Sequence, residues 1–305
     1  EYLDFTAGWA VNNIGHSNPV VADAISEQAR TLLQTSNQFY TVPQLHLAQA
    51  LVENSCLDKV FICNSGAEAN EGAVKLARKY GKLHRDGAYE VITAQGSFHG
   101  RTLAMTVATG KPHDKDDPFQ PLPEGFRTVA YDDVEAIMSA TTEKTAAVML
   151  EPVQGEGGVN VPSEGYLKAV REWCDEQGLL LIFDEVQTGL GRLGTLFGYQ
   201  AMGVEPDVMT LAKGLGGGVP IGAFLAKEGC AVLEPGDHGS TFGGNALTCA
   251  AAYASTRYMV DNDVPAQAKA TGAYLEQRLE ELRTRHPAIV DVRGMGLLLA
   301  VELTA

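Results

Sequence analysis

The fold is decided by a stretch that begins Leu179-Leu180-Leu181-Ile182-Phe183-Asp184 and closes with Leu211-Ala212-Lys213 before a glycine-rich turn. An unbroken apolar run of this length is typical of a strand buried on both faces of a parallel sheet. A second apolar run, Val208–Ala212, ends in a lysine as the first ends in an aspartate. Open α/β sheets bind ligands at the carboxyl ends of their strands, so we expect Asp184 and Lys213 to meet at one sheet edge. They form either a salt bridge or a pair that does chemistry on a cofactor.

Strand and helix patterns alternate along the rest of the chain, which predicts a mainly parallel α/β sheet wrapped by helices. The predicted strands are residues 1–5, 59–63, 89–94, 128–131, 146–150, 179–183, 208–212 and 221–226, with a strand-rich region over residues 292–303. The predicted helices are residues 19–33, 42–53, 66–79, 165–176, 244–260 and 266–285. Gly81 is expected to end the third helix. Residues 111–123, rich in proline and aspartate, are expected to form a surface loop.

Composition narrows the classes of function. Of the 305 residues, 45% are hydrophobic, which is enough for a sizeable core. The formal net charge of −15 argues against a nucleic-acid or anionic-membrane partner and is ordinary for a soluble acidic enzyme. The five cysteines are scattered and lack CxxC spacing, so reduced thiols in a cytosolic protein are expected. The sequence predicts no membrane span, no signal peptide and no metal site.

A candidate phosphate-binding loop follows the strand at residues 59–63. Ser65-Gly66-Ala67 begins a helix there, and Glu68 completes a capping box with Ser65. Backbone N–H groups at a helix N-terminus attract anions. A plain N-cap is the commoner explanation of such a serine, so this motif does not identify a phosphate site by itself.

The next predicted strand is followed by Phe98-His99-Gly100-Arg101. An aromatic side chain here can cover one face of a planar ring, and an arginine can hold a carboxylate through two hydrogen bonds. The ordinary alternatives are a core phenylalanine and a surface arginine. We expect His99 to be a hydrogen-bonded structural histidine rather than a metal ligand.

Two further loops carry polar side chains after predicted strands. Glu151 is expected to be structural, whereas Glu156 either faces a site or caps a turn. A glycosidase pair is disfavoured because this tight loop offers no sugar cleft. The hydroxyl groups of Ser240 and Thr241 precede another helix and could supply a second set of phosphate ligands, within the chain or across a dimer interface.

Asp184 and Lys213 carry the strongest chemical indications. A buried carboxylate needs a cationic partner, and a protonated pyridine nitrogen is one. A lysine that loses solvation at a strand end has a lowered pKa and can form a Schiff base. A phosphate cradle, a ring-stacking aromatic, an acid for a ring nitrogen and an amine lie on successive strand ends. Together they describe a site for pyridoxal phosphate.

Over essentially its whole length the sequence resembles the class III, or ω-type, pyridoxal-phosphate aminotransferases of fold type I. The resemblance rests on the motifs Asn64-Ser65-Gly66-Ala67-Glu68-Ala69-Asn70, Phe98-His99-Gly100-Arg101, Glu151-Pro152-Val153-Gln154-Gly155-Glu156-Gly157-Gly158, Asp184-Glu185-Val186-Gln187-Thr188-Gly189, Ala212-Lys213-Gly214-Leu215-Gly216-Gly217-Gly218 and Ser240-Thr241-Phe242-Gly243-Gly244-Asn245. It implies a mainly parallel seven-stranded sheet between helices.

The resemblance also implies three parts of the chain. Residues 1–55 are a partial N-terminal segment, residues 56–260 a large domain that binds pyridoxal phosphate, and residues 261–305 the start of a C-terminal small domain. Both ends of the sequence have the pattern of an interrupted strand, so we expect a piece of a longer protein.

A role follows from the resemblance for each site residue. Lys213 is the Schiff-base lysine that moves protons, and Asp184 contacts the ring nitrogen. The other implied cofactor contacts are Gln187 at the phenolic oxygen, Phe98 and Val186 on opposite ring faces, Ser65, Gly66 and Ala67 at the phosphate, and Thr241 at the phosphate of the neighbouring subunit. A cytoplasmic homodimer with its sites at the subunit interface is therefore implied.

Within the class, the sequence is most similar to acetylornithine aminotransferases and their ornithine-using relatives. The implied reaction is ping-pong transfer of the ω-amino group from N-acetylornithine, or a related acyl-diamine or ornithine, to 2-oxoglutarate in arginine biosynthesis. The alternatives are ω-aminotransferases with ornithine, 4-aminobutyrate, putrescine or β-alanine as donor. A pyridoxal-phosphate decarboxylase or aminomutase is a more distant alternative.

The implied substrate contacts include both matches to these relatives and departures from them. Arg101 matches the arginine that holds the α-carboxylate, and Glu156 matches a glutamate that pairs with a second arginine. Ser240 is also implied at the substrate. Ala67 replaces a frequent threonine and so lacks one hydroxyl contact. The bulky indole of Trp9 is expected to narrow the substrate channel.

Overall fold

A seven-stranded sheet forms the centre of the protein in a computed structural model that describes residues 1–110 and 117–304. The strands of the described chain are β1 (Lys59–Cys63), β2 (Glu90–Ala94), β3 (Phe126–Val129), β4 (Thr145–Leu150), β5 (Leu180–Asp184), β6 (Val208–Leu211), β7 (Gly222–Ala226), β8 (Ile289–Met295) and β9 (Leu298–Leu303). The helices are α1 (Ala7–Ala10), α2 (Pro19–Thr31), α3 (Val42–Glu53), α4 (Gly66–His84), α5 (Leu103–Ala108), α6 (Val134–Ala140), α7 (Tyr166–Gln177), α8 (Gly198–Met202), α9 (Ala246–Asp261) and α10 (Val264–Arg283).

The sheet has the strand order β1-β7-β6-β5-β4-β2-β3. Its neighbours from β3 to β6 pair in parallel, whereas β7 runs antiparallel to both β1 and β6. Only β7 is therefore reversed, and the carboxyl ends of the other strands face the same edge. The prediction of a mainly parallel seven-stranded sheet is confirmed. This topology brings the loops after β1, β2, β4, β5 and β6 together.

Strand β5 is buried on both faces, as its apolar run predicts. Leu181 and Phe183 belong to a hydrophobic cluster on one face of the sheet, and Leu180 and Ile182 belong to a cluster on the other. All four side chains are at most 2% exposed. Since the neighbouring β4 is also wholly buried, any polar group at these strand ends is held by a rigid apolar core.

Five of the ten described helices begin at a side-chain cap that the sequence displays. A side-chain oxygen of each cap accepts a backbone N–H of the first helical turn, which satisfies a donor that the helix itself leaves unpaired. These caps are Asn18 for α2, Ser65 for α4, Thr102 for α5, Asp133 for α6 and Asn245 for α9. Helices α2 and α3 pack on α9, and α10 packs on the separate β8–β9 hairpin.

The structure corrects several sequence predictions. Residues 1–5 form no strand, because their backbone pairs with no strand of the described chain. Their large side chains are exposed. Helix α4 continues through Gly81 to His84, and Gly81 is retained because a Cβ there would clash with the carbonyl oxygen of Ala88. Strand β3 begins and ends two residues before the predicted 128–131.

Other predictions are less fully tested. Residues 117–123 form neither helix nor strand, as the predicted loop requires, and residues 111–116 lie outside the described part of the chain. The division into three parts at residues 55 and 260 stays a prediction. Within residues 1–110 and 117–304, no helix combines the length and apolar character needed to cross a membrane.

Candidate active site

A cavity of about 410 Å³ lies at the sheet edge where the carboxyl ends meet. It brings together most of the predicted site residues, which come from five different loops. Those that line it are Ser65, Gly66, Ala67, Phe98, Arg101, Glu156, Asp184, Val186, Gln187 and Lys213. Trp9, Ser240 and Thr241 do not line it. Its volume lies within the range of roughly 300–1,000 Å³ usual for cofactor sites.

Asp184 ends β5 on the floor of this cavity and is only 2% exposed. Its Oδ2 accepts hydrogen bonds from Asn70 Nδ2 and His99 Nδ1, each at 2.7 Å. Its Oδ1 accepts one from the backbone N–H of Val186 at 3.0 Å. The carboxylate is thus held by three donors, and no salt bridge joins it to Lys213.

His99 is buried and hydrogen-bonded, as the sequence analysis expects. Its Nδ1 must carry the hydrogen that Asp184 accepts, and no partner meets its Nε2 in the described chain. Burial lowers the pKa of His99, but the bond to Asp184 and its charge outweigh burial and raise the pKa above its usual value. The raised pKa of His99 therefore depends on its hydrogen bond to Asp184 and on the charge of that side chain.

Lys213 follows β6 and begins a short 3₁₀ turn, Lys213–Leu215, with a φ of 41°. Its amine makes no hydrogen bond or ion pair with the described residues. Burial lowers the pKa of Lys213, although the negative charges of Asp184 and Glu151 oppose that shift. A lysine amine that loses its proton more easily is a better nucleophile and base.

The loop between β1 and α4 presents a helix N-terminus to the cavity. Ser65 Oγ accepts the backbone N–H of Glu68 at 3.2 Å, and Glu68 Oε2 returns to the backbone N–H of Asn64 at 2.7 Å. The predicted capping box is present, with its return bond one residue earlier. A Cβ on Gly66 would lie 3.0 Å from the side-chain carbons of Val186, a tight contact that would require Val186 to shift.

Glu151 holds the loop that carries Phe98. Its two oxygens accept the backbone N–H groups of Phe98 at 3.0 Å and Gly155 at 3.3 Å. Burial raises the pKa of this carboxyl group to about 7, while the nearby His99 opposes the shift. Glu151 also lines the cavity, but both of its oxygens are taken by backbone N–H groups, which favours the structural role that the sequence predicts.

Comparison with known proteins identifies the family. A family model described as aminotransferase class-III matches residues 1–305. The chain belongs to the class III aminotransferases. Members of this family are pyridoxal-phosphate-dependent enzymes that move an amino group from an amine donor to a keto acid.

Relatives of this aminotransferase have consistent names. It is 53% identical to the acetylornithine aminotransferase of Methanocaldococcus jannaschii and 52% identical to that of Methanothermobacter thermautotrophicus. Each match covers 99% of this chain and 76% of the relative.

Solved structures agree with the fold. The ornithine aminotransferase of Toxoplasma gondii ME49 has a TM-score of 0.94 and 39% identity, over 99% of this chain and 73% of that one. The acetylornithine aminotransferase of Elizabethkingia anophelis has a TM-score of 0.88 and 39% identity, over 100% and 76%. The fold of this aminotransferase is therefore fold type I.

The rim of the cavity in this aminotransferase is more exposed than its floor. Trp9 Nε1 donates a hydrogen bond to Glu156 Oε2 at 3.1 Å, although the two residues are far apart in sequence. Trp9 is 67% exposed and has a φ of 66°, a left-handed conformation that is unusual for a residue with a side chain. It lines an adjacent cavity of about 380 Å³, which shares Glu156 and Gln187 with the central cavity.

Arg101 and the Ser240–Thr241 pair occupy other parts of the rim. The guanidinium of Arg101 lies 5.8 Å from the ring centroid of Phe98, where it makes a cation–π contact. Ser240 Oγ accepts from Asn64 Nδ2 at 3.0 Å, and Thr241 is exposed outside the cavity.

The sequence analysis missed one residue on the cavity floor. Asn70 is 1% exposed and donates a hydrogen bond to Asp184, but the sequence patterns predict no separate role for it. The available signal was a polar side chain on the face of α4 that also carries Ala69, Ala73 and Ala77, all fully buried. A buried amide among alanines needs polar partners, and these come from strands β5 and β6 and from the loop after β2.

Proposed function

We propose that this aminotransferase binds pyridoxal phosphate in the central cavity and transfers the ω-amino group of N-acetylornithine to 2-oxoglutarate, in arginine biosynthesis. The observation that carries the proposal is that Asp184 and Lys213 open into one cavity from neighbouring strands without pairing with each other. The donor is supported by relatives named acetylornithine aminotransferase at 45–53% identity.

The cavity residues fit this cofactor by charge and shape. An amine without a protein partner, Lys213, suits the aldehyde, and a carboxylate, Asp184, suits a protonated ring nitrogen. The N-terminus of α4 offers backbone N–H groups to the phosphate. Phe98 and Val186 line the cavity as covers for the two faces of the ring, and Gln187 lines it as the partner of the phenolic oxygen.

When bound, pyridoxal phosphate supplies an aldehyde that combines with amines and a ring that withdraws electrons from the substrate carbon. The chain supplies the rest. Lys213 Nζ, with its pKa lowered by burial, gives up a proton to become a nucleophile and afterwards carries a proton to and from the reacting carbon. Asp184 holds a negative charge in a desolvated place and thereby keeps a proton on the ring nitrogen.

The rim residues are proposed to recognise the substrate. Arg101 is exposed at the mouth and can bind the α-carboxylate of the donor or a carboxylate of 2-oxoglutarate through two hydrogen bonds. Glu156, which lines the cavity together with Arg101, and its hydrogen-bond partner Trp9 are proposed to limit the width of the entrance. Ser240 is proposed to contact the substrate as well.

We further propose a homodimer, in the cytoplasm, with Thr241 at the phosphate of the neighbouring subunit. The position of Thr241 outside the cavity of its own chain supports a role across an interface. Large aromatic side chains are also exposed. Phe242, which follows Thr241 in the chain, is 63% exposed, and Phe39 and Tyr40 are 67% and 86% exposed. Exposed apolar surface of this kind is often covered by another protein chain.

A panel of amine donors with 2-oxoglutarate as acceptor tests the proposed function. The purified protein is expected to use N-acetylornithine with a higher kcat/KM than ornithine, 4-aminobutyrate, putrescine or β-alanine. A preference for another donor would correct the substrate and keep the reaction. Release of carbon dioxide, or turnover without a 2-oxo acid, would instead indicate a decarboxylase or an aminomutase. A protein that stays colourless with added pyridoxal phosphate would contradict the cofactor.

A further inference from the structure

Asn70 lies at the centre of a closed set of hydrogen bonds under the cavity. Its Nδ2 donates to Asp184 Oδ2 and to the backbone carbonyl of His99, both at 2.7 Å. Its Oδ1 accepts the hydroxyl of Thr210, on β6, at 2.6 Å. Both amide hydrogens and the amide oxygen are therefore used, in a side chain that is 1% exposed.

These partners determine which way the amide of Asn70 faces. If its oxygen and nitrogen were exchanged, the amide oxygen would face a carboxylate and a carbonyl, which have no hydrogen to donate. Thr210 assists, because its hydroxyl donates to the oxygen from the opposite side. The amide is thus a fixed donor toward Asp184, and it is neutral at any ordinary pH.

The consequence for Asp184 is an inequality between its two oxygens. Oδ2 is filled by Asn70 and His99, whereas the backbone N–H of Val186 is the only donor to Oδ1 among residues 1–110 and 117–304. A carboxylate oxygen can accept two hydrogen bonds, so Oδ1 keeps one lone pair for another donor. Rotation of the carboxylate would break both bonds to Oδ2, and Oδ1 is therefore held in one place.

Asn70 also joins two parts of the cavity. It belongs to α4, the helix whose N-terminus lies at Ser65 and Gly66, and it reaches the end of β5 through Asp184. One rigid helix therefore sets the position of the N–H groups that face an anion and of the carboxylate on the cavity floor. A ligand with a phosphate and a basic ring nitrogen at fixed separation matches such a pair.

We propose that Asn70 is a positioning residue, which holds Asp184 so that Oδ1 meets the protonated ring nitrogen of pyridoxal phosphate. This inference rests on the proposed function, because it needs that cofactor in the central cavity. Asn70 lines the cavity, but its amide hydrogens and oxygen are all taken by protein partners, so it acts on the ring nitrogen through Asp184.

The test compares pyridoxal phosphate with its 1-deaza analogue, in which the ring nitrogen is replaced by C–H. Both compounds carry the same aldehyde and phosphate, so the difference between their dissociation constants isolates the ring nitrogen. The constants are measured by titration of cofactor-free protein, for the wild type and for Asn70→Ala, Thr210→Val and Tyr199→Phe. Thr210→Val keeps the volume of Thr210 and removes only the hydroxyl that orients Asn70.

Tyr199→Phe is the matched control, since it deletes a partly buried hydrogen bond, from the backbone N–H of Cys56 at 2.8 Å, that has no contact with Asp184. Asn70→Ala is expected to weaken pyridoxal phosphate about 10- to 100-fold, since a hydrogen bond to a charged group is worth about 1.5–3 kcal/mol. The analogue should change by less than about threefold. Thr210→Val should give a smaller loss with the same selectivity, and Tyr199→Phe should show none.

Equal weakening of both compounds by Asn70→Ala would overturn the inference, because a merely structural role acts on the whole cavity. If Asn70→Ala does not fold, Thr210→Val decides the question by the same criterion. A wild type that binds the two compounds equally would contradict the contact between Asp184 and the ring nitrogen, and the inference with it. A wild type that binds neither would contradict the proposed function itself.

Discussion

The floor and the rim of the central cavity differ in how their side chains are held. On the floor, Asp184 and Asn70 are almost wholly buried, and together they take part in five hydrogen bonds, four of which are to partners other than each other. On the rim, a single 3.1 Å bond joins Glu156 to Trp9, and Trp9 is 67% exposed. Buried bonds cost more to lose than exposed ones, because water cannot replace them.

This difference separates the chemistry from the choice of substrate. The floor is built from strand ends that a rigid core positions, so a change there is expected to affect every substrate alike. The rim is built from loops in contact with solvent, so a change there is expected to distinguish one amine donor from another. Each of the following predictions compares a variant with the wild type, and those at Lys213, Arg101 and Trp9 add a matched control variant.

The largest effect is expected for Lys213→Ala on the floor. Loss of the amine that bonds to the cofactor and moves the proton should lower kcat by about 10⁴-fold for all donors. Lys227→Ala removes a lysine just after β7 that is paired at 3.8 Å with Glu205, and it should leave kcat unchanged. Steady-state assays decide this, and turnover of Lys213→Ala within about tenfold of wild type would refute its role.

Arg101→Ala on the rim should change selectivity rather than chemistry. The KM for donors with an α-carboxylate is expected to rise about 10- to 100-fold, because this factor corresponds to the free energy of a hydrogen bond between charged groups. The KM for putrescine should change little. Arg78→Ala is the control, because Arg78 also lies over a phenylalanine, Phe126, at 5.5 Å. If putrescine and the α-carboxylate donors lose equally, Arg101 does not bind the carboxylate.

Glu185, beside Asp184, gives a prediction about pH and stability. Burial raises its pKa from 4.5 to about 7, although the backbone N–H groups of Gly198 and Tyr199 oppose that shift. Between these pH values the unfolded chain releases the proton and the folded protein keeps it. The free energy of unfolding therefore falls as the pH rises through this window, and the decline ends above about pH 7.

The variant Glu185→Gln cannot titrate, so it should lose this part of the decline. Relative to wild type, the change in unfolding free energy between about pH 5 and about pH 8 should be smaller by about 1–3 kcal/mol. Guanidinium unfolding at the two pH values measures it. Other carboxyl groups contribute equally to both proteins and cancel, so an identical decline in both would show that Glu185 keeps its ordinary affinity for protons.

The smallest effect is expected for Trp9→Phe, which keeps an aromatic ring and removes the bond to Glu156. An exposed hydrogen bond is worth about 1 kcal/mol, so the KM of the preferred donor should change about fivefold with kcat unaffected. Trp173→Phe removes the other indole N–H, which donates to Thr141 at 3.0 Å away from the cavity, and should have no effect on KM. An unchanged KM in Trp9→Phe would show that the hydrogen bond between Trp9 and Glu156 does not contribute to substrate binding.

Sequence patterns predicted the strands and most helices of this aminotransferase closely. The apolar run ending at Asp184 became the buried strand β5, and Ser65 became the cap of α4. Such features depend on residues that are close in the chain, so local periodicity and capping chemistry suffice. Most residues that the resemblance assigns to the site also line one cavity, which Trp9, Ser240 and Thr241 do not, and the roles of all of them stay predictions.

Features that depend on distant contacts escaped. Gly81 has the pattern of a helix terminator, yet it lies inside α4. The carbonyl of Ala88 passes where a Cβ would lie, so a glycine fits at this position for a reason other than helix termination. Residues 1–5 have a strand pattern but no strand beside them to pair with. In both cases the deciding neighbour lies outside the segment whose pattern was interpreted.

By itself, the sequence determined that an aspartate and a lysine end two adjacent buried runs, which is a local property of apolar patterning. Only the tertiary structure decided what Asp184 bonds to. Its partners Asn70 and His99 come from α4 and from the loop after β2, more than eighty residues away in the chain. A hydrogen bond requires the distance between its donor and acceptor to be correct within a few tenths of an ångström. How the helices pack on the sheet sets these distances between such segments.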